Sequence, residues 1–246
     1  MDLGGEDTGV AEMGPSDRKS ETSRLVAPNT ETSPSYLNIL SNICGLVFLG
    51  IILYCCFKDD VTLFSFHPTL MTLGWMLFMT SAMHALTPGD LATGWMPIRL
   101  KSARHWILQV IAGTIILTGF IVIVTNKFIN SAYHFTSYHG KFGLASFIFL
   151  LMTMLGGLGA LNSLKLKHYL PPIYTKLIHT SAGLLTFCLG VTTILLGFFS
   201  NWWKKDNPQW LTILCFVLVL MSMIATTLRP ILKIYIRLRE RLDIQN

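Results

Sequence analysis

Apolar residues along this chain come in long unbroken blocks, separated by short polar segments. Six such blocks fall at roughly 37–57, 66–87, 105–126, 139–161, 177–200 and 210–231. Each is close to the ~20 residues that cross a hydrocarbon core of about 30 Å. Backbone groups in lipid have no water to bond, so each block is expected to be a helix. Residues 1–36 carry no such block and are rich in Gly, Ser, Thr, Glu and Asp, which predicts a disordered N-terminal tail. The pattern divides the chain into that tail, a six-helix membrane domain over 37–240, and a short C-terminal tail over 241–246.

Composition agrees with the pattern. Hydrophobic residues make up 52% of the 246 and charged residues only 13%, with a mean hydropathy of +0.53. A soluble globular chain carries about a quarter charged residues. The figures exclude a disordered scaffold, a nucleic-acid binder and a disulfide-rich secreted module. The five cysteines lie in apolar runs and form neither C-x-x-C nor C-x-x-C-H, so a zinc knot and covalent heme attachment are not expected.

Charge then sets topology. Six spans place both termini on one side. That side collects fourteen Lys and Arg residues, among them Arg18, Lys19, Arg99, Lys101, Arg104, Lys165, Lys176, Arg229 and Lys233, against five on the other. By the positive-inside rule both termini face the cytosol.

Histidines are the candidate chemistry. Of the seven, His67, His105, His139 and His179 each fall near the start of predicted helices 2, 3, 4 and 5. Successive helices run in opposite directions, so His67 and His139 share one depth near the luminal or extracellular face. His105 and His179 share another near the cytosolic face. Ionisable groups at membrane depth are costly and mark functional sites. Two imidazoles from facing helices are what a six-coordinate heme b requires. Gly143 and Gly183 follow His139 and His179 by four positions and share their faces, leaving room for a flat group. His84, His134 and His168 are expected at wet interfaces, with His84 the reserve ligand. None of the thirteen acidic residues lies within the six blocks, which disfavours the alternative reading, a histidine-based transporter of protons or divalent metal.

Around the four histidines stand Phe66-His67-Pro68, Arg104-His105-Trp106 with Gln109, Tyr138-His139-Gly140 and His179-Thr180-Ser181. This arrangement resembles the cytochrome b561 family over roughly residues 37–240. The resemblance implies an all-α membrane protein whose helices 2–5 form a four-helix heme-binding core. It implies two non-covalent hemes b, one held by His67 and His139 and the other by His105 and His179. It further implies a transmembrane reductase that takes electrons from cytosolic ascorbate and delivers them to monodehydroascorbate or ferric iron, in an endoplasmic reticulum or vesicle membrane, with homodimerisation a family tendency. Lys101, Arg104 and Lys176 are the candidates for holding ascorbate or heme propionates at the cytosolic end. Asn126, Tyr138 and Lys141 are the corresponding candidates on the far side. Trp106, Trp202, Trp203 and Trp210 are expected in the aromatic belt at the membrane surfaces.

Overall fold

The computed structural model describes residues 33–245. The predicted tail therefore lies, up to residue 32, outside the described residues. Those residues are helical with short connections and contain no strand.

Helix α1 spans Tyr36–Phe57 and begins at Ser35, whose hydroxyl accepts the Asn38 amide at 3.3 Å. The second hydrophobic block is built in three abutting pieces. Helix α2 (Leu63–Thr72) passes into a π-helical stretch (Leu73–Met79) and then into α3 (Thr80–His84), in pieces of 10, 7 and 5 residues. Pro68 sits inside α2 and has no amide to donate. The π-helical widening downstream is a local departure of the kind found at functional sites. Helices α4 (Ile98–Ile129), α5 (Tyr138–Leu161) and α6 (Pro172–Gly197) follow. A six-residue α7 (Asn201–Asp206) leads into the long α8 (Gln209–Gln245).

Five of these helices are long and apolar enough to cross a membrane: α1, α4, α5, α6 and α8. The protein is a multi-pass membrane protein. Its outer surface bears the large apolar side chains that lipid would cover, such as Leu46, Leu155 and Ile224, each more than half exposed. Inside, Phe48, Trp75, Met76, Ile116, Leu150, Phe187, Val191 and Val219 form one core. Helix α5 packs on α6, α2 on α4, and α1 on α8. The last pairing is polar at its centre. Ser41 Oγ lies 2.9 Å from Ser222 Oγ and 2.7 Å from Thr226 Oγ1, all three fully or almost fully buried.

The loop after α3 is fastened to the start of α1. Gly89 adopts φ +75°, its carbonyl accepts the Ser35 amide at 2.7 Å, and a Cβ there would strike the Ser33 carbonyl. Beside it the buried Asp90 accepts hydrogen bonds from Asn38 Nδ2 and Thr93 Oγ1, both at 3.0 Å. This carboxylate is a structural tie of the loop.

Three sequence expectations are corrected here. His84, expected at a wet interface, is 2% exposed and packs against α8, with Nε2 3.2 Å from Thr226 Oγ1. Trp203, expected in the aromatic belt, is 1% exposed and donates its indole N–H to Thr212 Oγ1 at 2.8 Å. Helix α4 begins seven residues before His105, not at it, because Pro97 supplies the N-terminal boundary. Trp106 and Trp210 are exposed as expected.

Candidate functional site: two histidine pairs

The four helix-borne histidines meet in two pairs, and they are the pairs that antiparallel helices dictate. His67 of α2 faces His139 of α5, with ring centroids 6.1 Å apart and planes at 86°. His105 of α4 faces His179 of α6, with centroids 6.3 Å apart and planes again at 86°. With metal–imidazole bonds of about 2 Å and a ring radius of about 1.1 Å, two trans imidazoles have centroids roughly 6 Å apart. Each gap fits one metal atom.

Hydrogen bonding selects the tautomer. His67 Nδ1 donates to the Gly119 carbonyl at 3.0 Å, His139 Nδ1 to the Thr193 carbonyl at 2.8 Å, and His105 Nδ1 to the Ala82 carbonyl at 2.8 Å. A carbonyl only accepts, so in all three rings Nδ1 carries the proton. Nε2 keeps its lone pair, as a metal ligand requires. His179 lies against the Thr153 backbone, but its buried Nδ1 makes no hydrogen bond of good geometry.

Metal chemistry narrows further. Among the described residues no group of three or more His, Cys, Asp or Glu is placed to hold a metal ion. A tetrahedral zinc or transport site therefore lacks its remaining protein ligands. Two imidazoles suffice only where another group supplies the equatorial donors, as the four nitrogens of a porphyrin do.

Space for such a group is present at the first pair. His67 and His139 open into a cavity of about 780 Å³, counting its mouth. Trp75 of the π-helical stretch forms part of its wall, together with Phe120, Gly143, Phe147 and Gly190. Phe120 and Phe147 stack at 4.4 Å with planes 3° apart. A mostly apolar chamber lined by both histidines is the kind of site that a porphyrin would occupy. Glycine makes it possible at one point: a Cβ on Gly190 would collide with the Trp75 ring. Gly143 lines the cavity as expected, whereas Gly157, which carries no signal in its spacing from the histidines, lies against the His179 ring.

Polar candidates divide. At the first pair the mouth is lined by Lys127, His134 and Ser137, and not by Asn126, Tyr138 or Lys141. Tyr138 is 74% exposed, and Asn126 bonds to Asn130. Lys127 Nζ donates to the Tyr133 carbonyl at 2.8 Å, which holds the loop over the mouth. Lys127 shares the α4 face of Ile116, Phe120 and Ile123, whereas His134 could not be found by helical position, since it depends on how the loop folds back through left-handed Ser131 and Phe135. At the second pair, Lys101 and Arg104 occupy the turn of α4 before His105 and are half-buried, while Lys176 is exposed on α6. Arg104 Nε is buried without a hydrogen-bond partner. The buried, unpartnered side-chain nitrogens among the described residues are His84 Nδ1, Arg104 Nε and His179 Nδ1, all at this end.

Residues 66–204, which carry all four paired histidines, match the family Eukaryotic cytochrome b561. The chain is 30% identical over 164 residues to the transmembrane reductase CYB561D2 of Mus musculus, covering 65% of this chain and 73% of that one. It is 28% identical over 212 residues to the Bos taurus protein of the same name, covering 81% and 95%. It is also 26% identical over 204 residues to the probable transmembrane reductase CYB561D1 of Mus musculus, covering 80% and 88%. With a match over more than half its length, a helical membrane fold and paired histidines of heme-ligand geometry, the chain belongs to the cytochrome b561 family, as a transmembrane b-type heme oxidoreductase.

Proposed function

We propose that this protein carries electrons across a membrane through two hemes b, from cytosolic ascorbate to monodehydroascorbate or ferric iron on the other side. On this reading α2, the π-helical stretch and α3 together make the sixth span, and both termini are cytosolic. His67 and His139 hold the luminal-side heme, and His105 and His179 the cytosolic-side heme. The observation that carries the reading is the pair of 6.1 and 6.3 Å histidine gaps, with Nε2 left free by backbone hydrogen bonds at Nδ1 of His67, His139 and His105.

When bound, each heme supplies a one-electron Fe(III)/Fe(II) couple. The residues of the chain do the rest. The Gly119, Thr193 and Ala82 carbonyls fix three imidazoles in orientation and raise their basicity. Trp75, Phe120 and Phe147 exclude water from the first pocket. Around the second pair, Lys101, Arg104 and Lys176 gather positive charge that attracts the ascorbate monoanion or neutralises propionates. The unpartnered Arg104 Nε suits it to accept such an anion. At the opposite mouth Lys127, His134 and Ser137 join Lys141, Tyr138 and Asn126 as candidates for the acceptor side. Asp90 is already engaged by Asn38 and Thr93, so it does not offset the cytosolic positive charge through a salt bridge.

Oriented proteoliposomes test this reading. Ascorbate is supplied at the face bearing the termini and a ferric chelate at the other. Ferric reduction that requires both heme and external ascorbate is the expected outcome. Reduction by heme-free protein, or none by the loaded protein, would refute it.

A further inference from the structure

We infer that His84 is a positioning residue for His105, acting through the short helix α3; the inference rests on His105 and His179 being the ligands of one heme. Three observations converge on α3. The helix ends at His84, so Ala82 lies among the last carbonyls that have no helical partner. His105 Nδ1 donates to that carbonyl at 2.8 Å. Two residues on, His84 is almost fully buried and its Nε2 lies 3.2 Å from Thr226 Oγ1 of α8.

Thr226 is itself held. Its hydroxyl lies 2.7 Å from Ser41 Oγ of α1, which lies 2.9 Å from Ser222 Oγ, again on α8. A chain of buried hydroxyls thus runs from α1 and α8 to His84. It fastens α3 at one residue while the carbonyl at another orients His105. Within α3 the side chain of His84 bonds α8, and just beyond the helix end Arg229 and Lys233 of α8 donate to the Pro88 and Leu86 carbonyls at 2.6 and 3.4 Å. Helix α3 continues from the π-helical stretch at its start, so its unsupported end is the one that carries Ala82 and His84. Without the His84 tie, the last turn of α3 would lose its buried side-chain bond to α8, and the Ala82 carbonyl would be held less firmly on the His105 N–H. Buried hydrogen-bonded chains of this kind rigidify what they join.

The consequence is electronic. An imidazole whose Nδ1–H is bonded to a carbonyl is a more basic ligand and favours the ferric state. Losing that bond should favour the ferrous state at this centre alone. Outer-shell partners of ligands are typically worth 10- to 100-fold in metal affinity. The lower figure, a tenfold change in the redox equilibrium, corresponds to about 59 mV for a one-electron couple.

Spectroelectrochemical titration of detergent-purified, heme-loaded protein tests it, with His84→Leu, Thr226→Val and His84→Gln compared with wild type. The heme of the second pair is assigned beforehand by its loss in His105→Ala. The expected result is a rise of about 59 mV in that heme's midpoint in His84→Leu and Thr226→Val. The other heme should stay in place, and His84→Gln, whose amide can still bond Thr226, should restore most of the shift. If His84→Leu does not fold, Thr226→Val reads the same link. An unmoved midpoint, or an equal shift of both hemes, would overturn the inference. Retention of both hemes in His105→Ala would instead overturn the ligand assignment on which it rests.

Discussion

The two histidine pairs share one spacing and one interplanar angle, yet their surroundings differ. Around His67 and His139 every Nδ1 is bonded to a backbone carbonyl, and an apolar chamber is already open between Trp75, Phe120 and Phe147. Around His105 and His179 only one Nδ1 is bonded, and the buried unpartnered nitrogens of His84, Arg104 and His179 gather there. One end is a finished apolar pocket. The other is a polar site whose donors await an acceptor. On the proposed function, the contrast suits one end that only holds a heme and another that also admits a charged reductant.

Removing a ligand from each pair should separate the ends most completely. His139→Ala is expected to lower heme from two to one per chain and to remove the component belonging to the first pocket. His179→Ala should remove the other component instead, as quantified by pyridine hemochrome and the reduced-minus-oxidised spectrum. Identical spectra for the two variants would erase the distinction between the ends.

Packing gives the next effect. Gly190→Ala places a methyl group against the Trp75 ring, which is buried and has little room to yield. Overpacking of this kind costs about 1–3 kcal/mol. A lowered thermal midpoint, with the spectral change confined to the heme of the first pair, is expected; no loss of stability would show that Trp75 is not held on that glycine.

Charge should matter at the second pair alone. Lys101→Gln combined with Arg104→Gln is expected to slow reduction by ascorbate several-fold at low salt while reduction by dithionite is unchanged. The difference from wild type should shrink as salt rises, because screening shortens the reach of the lost charges. Stopped-flow absorbance over a salt series measures this, and equal rates at low salt would contradict it. The smallest effect belongs to Gly157→Ala, whose new methyl would meet the His179 ring at 3.2 Å. A small band shift at the second pair with both hemes retained is the expected spectrum.

Which parts of this could be read from the chain follows from what lipid enforces. Hydrocarbon demands helices, short connections make neighbours antiparallel, and these constraints fix the depth of His67, His105, His139 and His179 before any packing is known. Helix ends were less legible, as α4 beginning at Ile98 and α8 running on to Gln245 show, since apolar content reports the hydrocarbon crossing and not the helix beyond it. The partner of a side chain across a helix interface has no periodic signature. For that reason His84 read as an interfacial residue and is instead buried against Thr226, and Trp203 read as belt and is core. The mouth residue His134 depends on a loop turned by positive φ at Ser131 and Phe135, which are not glycines. The π-helical stretch that carries Trp75 was equally silent, because its apolar residues satisfy an α-helical pattern as well.

The central claim is that each histidine pair holds one heme between two imidazoles. Electron paramagnetic resonance of the fully oxidised protein, with heme counted per chain, tests it most directly. Two hemes per chain are expected, both low-spin. With ring planes at 86°, a low-spin ferric iron held by either pair would have its two upper t2g orbitals, which share three electrons, close in energy, so both signals should be strongly anisotropic. A single heme per chain, or a dominant high-spin signal from iron with an open axial position, would contradict the account.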